Sequence, residues 1–178
     1  MKRKHLRLAT CGVAAAGVLL SACGGSGDGA GADVVPSVKG SVARSVEPVS
    51  GKAATAEAVK SAVESRLTVH EGRFGSGGKS PCSTASAEVF TQACGAAVTA
   101  TNDDASFALT RISGQEGFAT LRSVAQEIQK AAATYRQLGC ELNPVKAATR
   151  RACLAPAATL AQGFPDLRDG VNLGLAGK

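Results

Sequence analysis

The stretch SGQEGFATLRSVAQEIQKAAATYRQLG, residues 113–139, decides the fold class. Within it Phe118, Leu121, Ala125, Ile128, Ala132 and Tyr135 alternate spacings of three and four, and Val124, Ala131 and Leu138 widen the stripe. That is the period of an α-helix with one apolar face. Ser113-Gly114-Gln115-Glu116 matches a capping box, in which the serine hydroxyl accepts from the amide three residues on and the glutamate reaches back to the serine amide, so the helix is expected to start there. Gly139 suits the left-handed position just past its end.

Working outward, Val89, Phe90, Ala93, Cys94, Ala97 and Val98 carry the same spacing and predict a helix over Ser83–Ala100, continuing past Asp103-Asp104 through Phe107, Leu109 and Ile112. On the other side Asn143-Pro144 reads as a helix start, with asparagine as cap and proline in the first turn. Val145, Ala148, Ala152 and Cys153 then share a side, and Pro156 is expected to kink or end that helix, with Leu160 on a second piece that Gly163 closes. Phe164-Pro165-Asp166-Leu167 opens a last short helix with Val171 and Leu175 inward, weakened by Gly170 and Gly174. Short loops favour antiparallel neighbours, so the fold class is all-α, an up-down bundle of about four helices over residues 82–178.

The N-terminal part reads differently. Lys2, Arg3, Lys4 and Arg7 precede an apolar run from Leu8 to Ala22, and the run ends in Leu20-Ser21-Ala22-Cys23. Its 15 residues fall short of the roughly 20 that span a bilayer, which favours cleavage over spanning. This arrangement resembles the lipobox of bacterial lipoproteins. The resemblance implies that the signal peptide, residues 1–22, is removed, and that Cys23 is diacylated and becomes the N-terminus of a protein held on the extracytoplasmic face of the cell membrane. Two acyl chains anchor stably where one is marginal. An ordinary secreted protein with a free Cys23 is the competing reading, and consecutive arginines of the twin-arginine export type are absent from the start.

Residues 23–51, rich in Gly, Ser, Ala and Val with Pro36 and Pro48, read as a disordered tether. A flexible chain of about 28 residues has an r.m.s. span of roughly 30 Å. Residues 52–81 hold a short amphipathic helix over Lys52–Thr68, with Ala56, Val59, Val63 and Leu67 on one face, and then a Gly-rich linker. Whether this helix packs on the bundle is left open by the pattern.

Cys11 would leave with the signal and Cys23 would take the lipid, which leaves Cys82, Cys94, Cys140 and Cys153 for two disulfides. Their spacings of 12, 46 and 13 do not match paired zinc knuckles, so no metal is expected. In an antiparallel bundle Cys82 at the start of one helix meets Cys140 at the end of the next. Cys94 and Cys153, each about 14 to 17 Å farther in, form a second rung. The expected pairing is therefore Cys82 to Cys140 and Cys94 to Cys153; neighbours in sequence pair only if the chain folds back.

Functionally the sequence excludes more than it names. Four of the 20 basic residues precede Cys23, leaving 16 against 14 acidic ones, and aromatics are scarce, so no nucleic-acid surface is expected. Lys146, Arg150 and Arg151 cluster at helical spacing, as a solvated face or as a patch for an anionic partner or lipid headgroup. Gly78-Lys79-Ser80 imitates the end of a phosphate-binding loop, but Arg73 stands where that loop needs glycine, and Pro81 precludes an immediate helix. His70, the single histidine after Cys23, reads as solvated beside a linker, which leaves any nucleophile in the bundle without a nearby base. Asp103-Asp104 fits a turn or helix start, and Asp166 with Asp169 a first helical turn. No catalytic residue and no cofactor is indicated. The expectation is a tethered, non-enzymatic module for an envelope protein or small ligand, against an envelope enzyme of unfamiliar type or a purely structural protein. In style the body resembles uncharacterised small helical secreted proteins of actinobacteria.

Overall fold

Buried side chains recur at alternating spacings of four and three residues, and this 3.5-residue repeat organises the fold. The computed structural model describes residues 49–177. They form four helices, α1 (Val49–Phe74), α2 (Gln92–Arg111), α3 (Ala119–Gln137) and α4 (Ala147–Leu175), with single 3₁₀ turns at Gly77–Lys79 and Cys140–Leu142. In α2 the repeat runs Cys94, Val98, Thr101, Ala105, Ala108, Ile112; in α3 it runs Leu121, Ala125, Ile128, Ala132, Tyr135. In α4 it runs Cys153, Ala157, Leu160, Phe164, Leu167, Val171. Such stripes pack helices nearly antiparallel, knobs into holes. Side-chain contacts fix the order: Lys52 of α1 meets Glu116 in the loop before α3, Gln129 meets Ser106, and Arg168 meets Glu64 and Glu71. The bundle is all-α, up-down and stapled by two disulfides, as the sequence predicts. The signal peptide, Cys11, the lipobox Cys23 and most of the tether lie outside the described residues.

Helix α1 is a full member of this bundle. Val59, Val63 and Leu67 are buried against α2 and α4, so the bundle begins well before Cys82. The helix also extends to Phe74, one and a half turns beyond its expected end, and this lengthening makes His70 a helical residue.

Several helix boundaries depart from expectation, each for a local reason. Helix α2 starts at Gln92, not at the expected Ser83, with the Thr91 hydroxyl accepting from the Ala93 amide. Ahead of it Ser80, Ser83 and Ser86 recur every three residues, and each hydroxyl accepts from the amide two residues on. Serine side chains that satisfy backbone donors in this way compete with a helix, so residues 80–91 fold as consecutive turns. The capping box at Ser113 is not used. Gly114 and Gly117 take φ of 72° and 80°, the chain loops over residues 112–118, and α3 starts at Ala119. Gly139 does occupy the left-handed position after α3, with φ 63°.

Asn143 does not cap a helix either. It sits at φ 50° in the loop, and α4 starts at Ala147 behind Lys146. Pro156 and Pro165 lie inside α4, and Gly163 does not close it. The apolar repeat crosses both prolines without a break, and burial along the whole stripe outweighs the two missing backbone hydrogen bonds. Gly163 and Gly170 serve close approach instead. A Cβ on Gly170 would lie 2.9 Å from the Leu121 Cα, and one on Gly163 would overlap Thr101 Cγ2.

The disulfide pairing is the reverse of the expected one. Cys82 bonds Cys94 and Cys140 bonds Cys153, with Cα separations of 4.8 and 5.8 Å. Cys82 belongs to the serine turns, which fold back onto the start of α2, and Cys140 belongs to the turn that reverses the chain into α4. Both bonds lie at one end of the bundle, remote from the start of α1.

Candidate functional site

A cleft of about 230 Å³ opens at this disulfide-stapled end, lined by Gln92, Gly95 and Thr99 of α2, Arg136 of α3 and Glu141 of the turn beyond. Helix α2 has no acidic residue in its first turn, and Glu141, supplied from the loop, packs there instead. A carboxylate near a helix N-terminus is favoured by the unsatisfied amides and the macrodipole. Gly95 makes the approach close, since a Cβ there would stand 3.0 Å from the Glu141 Cβ. Gln92 Nε2 donates to the Glu141 carbonyl at 3.4 Å, and Arg136 donates to the Thr99 hydroxyl at 3.3 Å. Glu141 Oε2 is buried and has no hydrogen-bond partner.

Tyr135 lies beneath this end and donates its hydroxyl to the Val89 carbonyl at 2.8 Å. Burial, with the Glu141 charge second, pushes its phenol up to about 12 from an ordinary value of 10. The folded state therefore keeps the phenolic proton through a range where the unfolded chain loses it. That contribution is fully present below pH 10 and is lost as pH rises to 12, about 3 kcal/mol in all. Tyr135 is the only tyrosine and there is no tryptophan, so the expected result is simple to read. Phenolate absorbance should stay silent at pH 10 in the folded protein and appear with unfolding or near pH 12; half-ionisation at pH 10 with the fold intact would contradict the buried phenol.

Beside the cleft, residues 142–145 form an apolar tip. Leu142 is 72 % exposed and Val145 93 %, while Asn143 is the single non-glycine residue with positive φ among those described. The tip is braced. Arg150 Nη1 donates to Asn143 Oδ1 at 3.0 Å, and its guanidinium lies 4.0 Å over the Phe90 ring. The Asn143 amide donates to the Phe90 carbonyl at 3.0 Å, and the Cys140–Cys153 bond holds the base.

A second polar cluster joins α1 to the bundle. Asp104, 1 % exposed, accepts from Arg66 Nε and meets His70 Nδ1, each at 2.9 Å. Arg66 also stacks 4.7 Å over Phe107. Arg168 of α4 reaches Glu64 at 3.1 Å and Glu71 at 2.8 Å. The Ser76 hydroxyl on Glu71, with Arg168 behind it, holds that carboxyl below its usual range.

These positions correct three expectations. His70 is engaged with a buried carboxylate, not solvated in a linker, and Asp104 lies in mid-helix, not at a turn. Asp166 and Asp169 sit in the middle of α4, where burial and the neighbouring acids raise the Asp166 carboxyl. The reading of Asp104 as part of a turn hides its role; Arg66 and His70, one helical turn apart, share a face once the helix is carried past Thr68. Among the described residues no three potential metal ligands cluster, and no helix is long and apolar enough to cross a membrane. No family model, curated protein or solved structure matches the chain.

Proposed function

We propose that this chain is a lipid-anchored, extracytoplasmic binding protein that holds a small polar ligand in the cleft at the stapled end of its bundle. The anchor rests on the lipobox resemblance at Cys23. The cleft rests on one observation, the Glu141 carboxylate oxygen left without a donor in a wall that also carries Arg136. An unsatisfied buried acceptor costs on the order of 1–3 kcal/mol, which a ligand donating to it would relieve. An ammonium or hydroxyl entering the cleft would donate to the Glu141 carboxylate, while Arg136 takes a carboxylate or hydroxyl. At about 230 Å³ the cleft is below the 300–1,000 Å³ typical of drug-sized sites, so the fitting class is a single amino acid or amino sugar.

Thermal unfolding of the purified protein with a panel of amino acids, amino sugars, neutral sugars and simple dicarboxylates tests this. Saturation at a hundred times Kd adds about 3 kcal/mol, a rise of several degrees. The rise should come from molecules that pair a donor with an acceptor, and Glu141→Gln and Arg136→Ala should each remove it. A panel without any stabiliser refutes the cleft. Incorporation of a labelled fatty acid, lost in Cys23→Ala, tests the anchor separately.

A further inference from the structure

Lys146, Arg150 and Arg151 stand at the N-terminus of α4, and the first turn of that helix has no acidic residue. Cations there oppose the helix macrodipole, so helix stability does not account for them. All three are exposed and follow directly on the tip formed by Leu142, Pro144 and Val145, which Arg150 touches at Asn143 and Pro144, and Leu142 and Val145 are the large apolar side chains most open to water on this end. The tip is not exposed through laxity. The Cys140–Cys153 bond, the Arg150 contacts with Asn143 and Phe90, and the αL turn at Asn143 hold it outward. An apolar point with exposed cations beside it matches the layering of a bilayer surface, acyl chains beneath anionic headgroups.

From this geometry we infer that the 142–145 loop inserts its tip into an anionic lipid surface, a second membrane contact besides the lipid proposed on Cys23. The chain can accommodate it. Helix α1 is about 39 Å long and starts at the opposite end of the bundle, whereas the 26 residues from Cys23 to Val49 reach at most about 90 Å. The anchored bundle can therefore turn its stapled end to the membrane. Arg150 and Arg151 stand on α4 with Lys146 as its cap, whereas the cleft is lined by α2, Arg136 of α3 and Glu141, so docking of the tip does not require filling the cleft.

The chain lacks tryptophan, and Val145→Trp places a lone indole on the tip. The full-length lipidated protein carrying this change is reconstituted on vesicles of phosphatidylcholine, or of phosphatidylcholine with phosphatidylglycerol. The indole emission is expected to move to shorter wavelength, and to resist an aqueous quencher, on the anionic vesicles only. Adding Lys146→Glu and Arg151→Glu, with Arg150 kept for its bracing role, should abolish the shift. Emission that stays aqueous on both vesicles overturns the inference and leaves the tip to a protein partner. An equal shift on both, indifferent to the charge reversal, overturns it too. Flotation with neutral vesicles reports the Cys23 anchor independently, so failure of the anchor and failure of the loop are distinguishable.

Discussion

Replacing Cys82 and Cys94 together by serine is expected to destabilise the protein by about 3 kcal/mol, and replacing Cys140 and Cys153 together by about the same amount. The estimate follows from loops of 12 and 13 residues, whose closure in the unfolded chain the bond enforces. The informative variant is the mixed one. Cys82→Ser with Cys140→Ser breaks both bonds and should cost about 6 kcal/mol, the order of a small domain's whole stability. Under the crossed pairing that antiparallel helices alone would suggest, the mixed variant would lose one bond and each sequential variant two. The ranking of urea midpoints therefore decides the connectivity without a peptide map. A mixed variant more stable than the sequential ones would also discredit the serine turns over residues 80–91, since only a folded-back chain brings Cys82 to Cys94.

The same contrast shows what the sequence could reveal. The stripe from Leu121 to Tyr135 predicts α3, its place in a bundle and the glycine that ends it, because a single amphipathic helix carries its own period. Helix ends depend on competing local options, and there the reading failed. Val89 and Phe90 are buried as a helix face would be, yet Ser80, Ser83 and Ser86 had already committed the backbone to turns. Pro156 reads as a stop and Pro165 as a fresh helix start, and tertiary burial overrides both, since the α4 stripe gains more by continuing than two missing hydrogen bonds remove. The candidate site was half legible. The cations at Lys146, Arg150 and Arg151 were plain, but their coupling to an exposed tip needed the αL turn at Asn143, and Glu141 offered no periodicity at all.

Arg66→Met is expected to cost about 3 kcal/mol at pH 7, although Arg66 is a partly exposed side chain on the outermost helix in sequence. The reason lies in its partner. Asp104 is 1 % exposed, and two groups on α1, Arg66 Nε and His70 Nδ1, meet its two oxygens. Removing one partner of a buried charge costs 3–5 kcal/mol, chiefly because the other is left desolvated. The low end applies because Arg66 is 40 % exposed, so water can follow it toward the carboxylate. By contrast Lys52 and Glu116, 91 % and 89 % exposed, join α1 to the loop before α3 by a pair that should contribute almost nothing. A double variant separates the charge from the packing: Arg66→Met with Asp104→Leu removes the buried charge along with its partner and should recover most of the loss. Amide exchange across Val59–Leu67 should rise sharply in the single variant and fall back in the double. Should the single variant lose less than about 0.5 kcal/mol, α1 is held by Val59, Val63 and Leu67 and the Arg168 pairs with Glu64 and Glu71, and the Asp104 cluster has to be explained by something other than docking the helix that leads back to the proposed anchor.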